Sequence, residues 1–244
     1  MRWPCALLLA SMQAVAQVPD SGRWQELRFA ADEVGQRAED RYIEQTVSLA
    51  AAGQLDGDRA LLRRARGILA GLVRAAVALK PQAAEWPWEL HVTADAQVEA
   101  ESQAGGKLLL GAGFVHGLAL DDGELATLLA HEVAHVIAEH FRETVSEALL
   151  DTRRADLPLE VVEERLASDL PLQLHLARLS AIQEREADQL GMLIAHLAGW
   201  PSAAMRRFYL KLAAVSGAPA LLASHPAPQS RISLAKGMAR LFGD

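Results

Sequence analysis

Apolar and polar positions follow a helical period along most of this chain. Leu27, Val34, Ala38, Ile43 and Val47 mark a first helix over residues 24–52, and 53–58 reads as a turn. Asp58 is placed to cap a second helix over 59–80, which Pro81 stops. Composition changes across 81–88, and the period then falls to two. Leu90 and Val92 predict a short strand at 89–93, and 98–103 with 107–110 predict a hairpin around Gly105-Gly106. Gly111 and Gly113 mark a loop into the next helix. There Asp121 and Glu124 form an acidic capping box, followed by Leu125, Leu128, Leu129, Val133, Val136 and Ile137 at helical spacing.

The stretch 143–158 is charged and is expected to end in a loop, with a short helix at 160–167. Asp169 and Pro171 open a long helix to residue 197, whose apolar stripe runs from Leu172 and Leu176 to Leu190 and Ile194. Gly199 ends it, and Pro201 starts another helix to about 216. A loop over 219–229 contains Ser224-His225-Pro226, and Ile232, Leu234, Met238 and Leu241 mark a last helix. The pattern predicts an α+β fold, mainly α with a small β-sheet. A helical region at 17–84 precedes a domain at 85–244.

Composition narrows the function. The chain has 244 residues, 51% hydrophobic and 23% charged, which is ample for a sizeable core. A net charge of −7 argues against nucleic acid and against an anionic membrane surface as partners. Residues 68–79 are apolar, but Arg74 interrupts them, and they fall well short of the ~20 residues that a membrane span needs. Residues 1–16 read as a signal peptide. Arg2 is the positive start, 5–10 the apolar run, and Ala14-Val15-Ala16 the cleavage site before Gln17. The expected location is therefore periplasmic or secreted. The one cysteine, Cys5, lies inside that segment, so the processed chain would hold no metal through thiolate.

The chemistry centres on His131-Glu132-Val133-Ala134-His135. Two imidazoles four residues apart share one helix face and can hold one Zn2+, with Glu132 beside them as general base. A structural histidine pair is the plainer alternative, and a third ligand decides between the two. His140 is one residue early for the H-E-x-x-H-x-x-G-x-x-H pattern and lacks its glycine turn, so it is not expected to bind metal. Glu184 and Asp188, four apart on the long helix, share a face, so one can ligate while the other braces a ligand. Glu186 lies about 200° round from Glu184 and is expected in solvent. His175 and His196 read as structural or exposed.

H-E-V-A-H, then E-R-E-A-D-Q-L-G, then S-H-P-x-x-x-x-R-I, in that order, resembles metallopeptidase family forty-eight. These are the minigluzincins, with HtpX-like, CAAX prenyl, mitochondrial Oma-type and periplasmic quality-control branches. The likeness runs from about Trp88 to Ile232 and is nearest to small exported members. It implies a zincin-like core holding one Zn2+ per chain through His131, His135 and Glu184, with Asp188 bracing a ligand. It further implies a catalytic Glu132, a His225 that approaches or caps the metal, and an Arg231 that helps bind the developing oxyanion.

The hairpin departs from the family pattern. Residues 98–106 keep both glycines but are more acidic and lack an aromatic, which bears on substrate preference. The membrane helices of the HtpX-like and prenyl branches are missing. The resulting expectation is a zinc metalloendopeptidase of envelope protein quality control, with protein or peptide substrates and envelope assembly machinery as a candidate partner. The alternatives are a zinc-stabilised chaperone or adaptor that binds unfolded proteins without cleaving them, and a zinc hydrolase of a non-peptide amide.

Overall fold

The computed structural model describes residues 14–152, 154, 156–215 and 228–243. In chain order the elements are strands β1 (Ala14–Gln17) and β2 (Trp24–Leu27), then helices α1 (Ala31–Ala51) and α2 (Arg59–Leu79). After a 3-10 turn at Pro81–Glu85 come β3 (Glu89–Thr93), β4 (Ala100–Gln103), β5 (Lys107–Gly111), α3 (Ala112–Gly117) and α4 (Asp122–Ile137). The remaining helices are α5 (His140–Asp151), α6 (Leu159–Ser168), α7 (Leu170–Leu197), α8 (Ser202–Val215) and α9 (Pro228–Phe242). The fold is mainly α with small sheets. Among the described residues, no helix is long and apolar enough to cross a membrane.

Helix α4 is the centre of the core. Asp121 caps it by accepting from Glu124 N at 2.9 Å, while the Glu124 carboxylate accepts from Asp121 N at 2.8 Å. Such a cap contributes about 1 kcal/mol. Nearly every residue of α4 is buried, because α7, α2 and α8 surround it and β4 lies across its remaining side.

The main sheet has the order β3-β5-β4. The central strand β5 runs parallel to β3, with Leu90 opposite Leu108, and antiparallel to β4, with Ser102 opposite Leu108. Gly105 and Gly106 turn the hairpin at φ of +78° and +88°, a region that favours glycine. A Cβ on Gly106 would also stand 2.8 Å from the Trp88 ring.

Besides the short helix α3, where a loop is expected, two stretches differ from the sequence expectation. Residues 24–27 form a strand rather than the start of a helix. They pair antiparallel with β1, Ala14 opposite Leu27, and bury Gln25 and Leu27 in alternation. The expected cleavage site, Ala14-Val15-Ala16, lies in β1, while residues 1–13 lie outside the described residues. The helix begins at Ala31 and buries Val34, Ala38, Tyr42 and Leu49; Ile43 and Val47 are exposed. Tyr42 sets this rotation, because its hydroxyl donates to Leu108 O in β5 at 2.7 Å.

The second difference follows α4. The charged stretch continues as helix α5 after a break at Glu139, whose φ is +53°. Val145, Ala148 and Leu149 of α5 pack with Phe29, Val34, Leu172 and Leu176 in a second apolar cluster. That partnership, invisible locally, makes the charged segment helical.

Candidate active site

The site forms where α7 crosses α4. Gly191 permits the approach: a Cβ there would stand 2.9 Å from His131 N and 3.0 Å from Ala130 O. Ala187 and Ala195, also buried, keep the same face of α7 small. Close crossing brings Glu184 to both motif histidines. Its Oε2 lies 3.5 Å from His131 Nε2, and its Oε1 lies 3.3 Å from His135 Nε2. The two Nε2 atoms are 3.1 Å apart. All three side chains thus offer a ligand atom within 4.8 Å of one another. Bonds of 2.0–2.2 Å to a four-coordinate ion imply ligand separations of about 3.3–3.6 Å. The observed spacings of 3.1–3.5 Å lie close to that range, so the donor set fits one small divalent cation.

His131 is braced from behind. Its Nδ1 lies 3.1 Å from Asp188 Oδ1. Asp188 in turn accepts from Tyr209 OH at 3.0 Å and from Arg231 Nε at 2.9 Å. Arg231 is buried and stacks over the Tyr209 ring at 4.8 Å. Burial opposes charge on Asp188, but hydrogen bonds to His131 and Arg231 hold its carboxyl below the usual range. Burial likewise opposes protonation of His131, yet Asp188 and Glu184 outweigh it and raise the metal-free imidazole to about 9. Arg231 is thus engaged with Asp188 and touches the site through His131. His225 lies outside the described residues.

His135 is braced from the other side. Its Nδ1 lies 3.0 Å from His140 Nδ1. His140 is not part of the three-residue cluster, in keeping with its sequence spacing. Its Nε2 faces Glu186 Oε2 at 3.4 Å.

Glu186 is not in solvent, as its helical position suggested; it is 6% exposed. The turn between β1 and β2 covers it. Ser21 Oγ donates to Glu186 Oε1 at 2.9 Å, and Arg23 donates to both of its oxygens at 2.8 Å. Arg23 Nη2 also donates to Glu143 Oε2 at 2.8 Å, and Gln25 and Gln183 donate to the same oxygen at 3.0 and 2.9 Å. Burial works against the Glu186 charge, but His140, Arg23 and Ser21 hold its carboxyl down to about 2. Sequence reasoning missed this network because Ser21 and Arg23 lie between the segments read as signal and helix, and Gln25 lies at the start of that expected helix.

Glu132, the third motif residue, opens onto a cleft of about 710 Å³. The edge strand β4 with Ala104 and Gly105 lines it, together with Val34 of α1, His135, Phe141 and Glu184. Ser102 Oγ on β4 donates to Glu132 Oε2 at 2.8 Å. A carboxylate held this way beside two imidazoles can move a proton in a sheltered cleft.

The sequence profile of peptidase family M48 matches residues 68–239. The chain belongs to that family. Two relatives from Vibrio cholerae and Yersinia pestis, both named as β-barrel assembly-enhancing proteases, are 27% and 29% identical over 64% and 63% of this chain. The alignments cover 35% of each, so the chain spans about a third of the length of these M48 relatives. The mitochondrial metalloendopeptidase OMA1 of Schizosaccharomyces pombe is 29% identical over 59% of this chain and 44% of its own length. The hairpin β1–β2 and helix α1 lie outside the residues matched by the M48 profile.

Proposed function

We propose that this chain is a zinc-dependent endopeptidase that cuts misfolded or misassembled proteins of the bacterial envelope. The convergence of His131, His135 and Glu184 beside Glu132, on a cleft walled by an edge strand, carries the reading. Two imidazoles and one carboxylate, with no thiolate, suit a catalytic zinc that keeps one position open. Those three residues would hold Zn2+, which supplies Lewis acidity and makes a water molecule acidic near neutral pH.

The rest of the chemistry belongs to the chain. Glu132 takes the proton of the attacking water and passes it to the leaving amine nitrogen. Ser102 aims the Glu132 carboxylate. Asp188, anchored by Arg231 and Tyr209, fixes the ring of His131. Arg231 serves the developing oxyanion indirectly, by stabilising that assembly. His225 is proposed as a further group near the metal.

An extended peptide lies along β4 and exposes its backbone to Glu132. Residues 17–84 form an N-terminal helical region that lines part of the cleft, and 85–244 form the metallopeptidase domain. The names of the bacterial relatives support an envelope substrate, reached by export through residues 1–16, with assembly machinery as a partner.

A casein digest tests the activity with wild type, Glu132→Gln, and wild type treated with a chelator and then zinc. The reading expects activity from wild type, its loss in Glu132→Gln and under chelation, and its return with zinc. Equal background in every arm overturns it in favour of a binding-only protein.

A further inference from the structure

The two histidines of the cluster are braced unequally. His131 has a carboxylate behind its Nδ1, the usual partner of a metal-binding imidazole. His135 has a second histidine instead, with the rings edge to face and their centroids 5.0 Å apart. His140 is buried, and its Nε2 makes no hydrogen bond, although the Glu186 carboxylate approaches it at 3.4 Å. Nothing in the peptide-cleaving chemistry above uses His140, Glu186, Ser21 or Arg23.

Two imidazole nitrogens 3.0 Å apart need one proton between them, and either ring can carry it. If His140 Nδ1 carried it, a neutral His135 would hold its own proton on Nε2, the atom that faces His131 and Glu184. That arrangement blocks ligation. If His135 Nδ1 carries it, Nε2 is bare and directed at the cluster. His140 then accepts at Nδ1 and keeps its proton on Nε2, towards Glu186. In this second arrangement the His135 proton points at His140 Nδ1, and the His140 proton faces the Glu186 carboxylate at 3.4 Å. Glu186 is kept available by three donors from the hairpin, one from Ser21 and two from Arg23.

We propose that His140 is a positioning residue that commits His135 to ligate through Nε2, and that Glu186 with Arg23 holds His140 in the accepting tautomer. The proposal rests on the assignment of His131, His135 and Glu184 as the metal set. It makes the turn at residues 21–23, outside the M48 match, a working part of the metal centre.

The test uses the full chain and reads metal directly. Zinc affinity is measured by competition with a chromophoric chelator, and the Co2+ form is followed by visible absorption. Variants are His140→Leu, His140→Asn, Arg23→Gln and, as control, Glu184→Gln, each checked for folding by circular dichroism. The Asn oxygen stands where His Nδ1 stood and can accept; Leu cannot.

His140→Leu is expected to weaken zinc binding about 10–100-fold with an altered Co2+ spectrum. His140→Asn should recover most of that loss, and Arg23→Gln should fall between. Equal affinity in His140→Leu and wild type, or equal losses in folded Leu and Asn variants, overturns the proposal. If His140→Leu does not fold, long-range proton–nitrogen NMR of zinc-loaded wild type decides. A proton on His135 Nδ1 and on His140 Nε2 supports the proposal, and one on His140 Nδ1 overturns it. Zinc binding to wild type that Glu184→Gln leaves unchanged overturns the metal set itself, which is a separate result.

Discussion

Gly191 of α7 rests against the backbone of His131 in α4, so close that a Cβ would stand 2.9 Å from the His131 nitrogen. In an open helix, glycine to alanine gains about 1 kcal/mol. Here the neighbours are main-chain atoms that cannot swing aside, and overpacking costs about 1–3 kcal/mol. Gly191→Ala is therefore expected to be less stable by about 1–2 kcal/mol in urea unfolding. It should also weaken zinc binding, since Glu184 rides on the displaced helix. A more stable variant with unchanged affinity would show that the two helices are not so closely set.

Metal uptake should release a proton at neutral pH. Without metal, Asp188 and Glu184 keep His131 protonated up to about 9. That charge stabilises the metal-free fold fully below about 6.5, the ordinary histidine value, and its contribution is lost as pH rises through about 9. A bound zinc would take the place of the proton on Nε2. Calorimetry in buffers of different ionisation enthalpy should read, besides the proton lost by the zinc-acidified water, about one proton released per zinc from His131 at pH 7, a contribution that falls away above pH 9. A release that does not change across that range contradicts the pairing.

Ser102 is proposed to aim Glu132 as the general base. Its hydroxyl holds Glu132 Oε2 at 2.8 Å, and a hydrogen bond to a charged group contributes about 1.5–3 kcal/mol. Ser102→Ala is expected to lower kcat about tenfold, with zinc affinity unchanged. Steady-state kinetics on a fluorogenic peptide, alongside chelator competition, separates the two quantities. An undiminished kcat would remove Ser102 from the mechanism.

The exported chain should begin at Gln17. Cleavage after Ala16 leaves Ser21, Arg23 and Gln25 in place, with all their bonds to Glu143 and Glu186. It removes most of β1 from its pairing with β2. Intact mass and N-terminal sequencing of the periplasmic fraction read the outcome. Retention of Met1 would argue that β1 stays and that the segment is not a signal.

Much of the site was legible because its signals are local. Asp121 and Glu124 announce the start of α4, Asp169 and Pro171 that of α7, and Gly105-Gly106 the hairpin. Helical geometry alone pairs His131 with His135 and Glu184 with Asp188 on one face each, while the choice of Glu184 as ligand came from the family resemblance. What escaped depends on distant partners. Trp24–Leu27 is only four residues long and becomes a strand because Ala14–Gln17 lies beside it. Helix α5 owes its form to Phe29 and Leu172, far away in sequence. Glu186 sits on the side of α7 that periodicity assigned to water, and it is buried because Arg23 arrives from the other end of the chain.

The three-stranded sheet has one vacancy among the described residues. The outer side of β3 is taken by the segment at Leu55 and Asp56, which bonds to Val92 and bridges to Thr93. No described strand pairs with the outer side of β4, and that side borders the cleft. An incoming chain would have to offer a bare ribbon of main chain before any of its side chains could be judged. Well-folded proteins keep such ribbons satisfied at home. The shape of the sheet would therefore sort clients by how far they have come undone, ahead of any preference for particular residues.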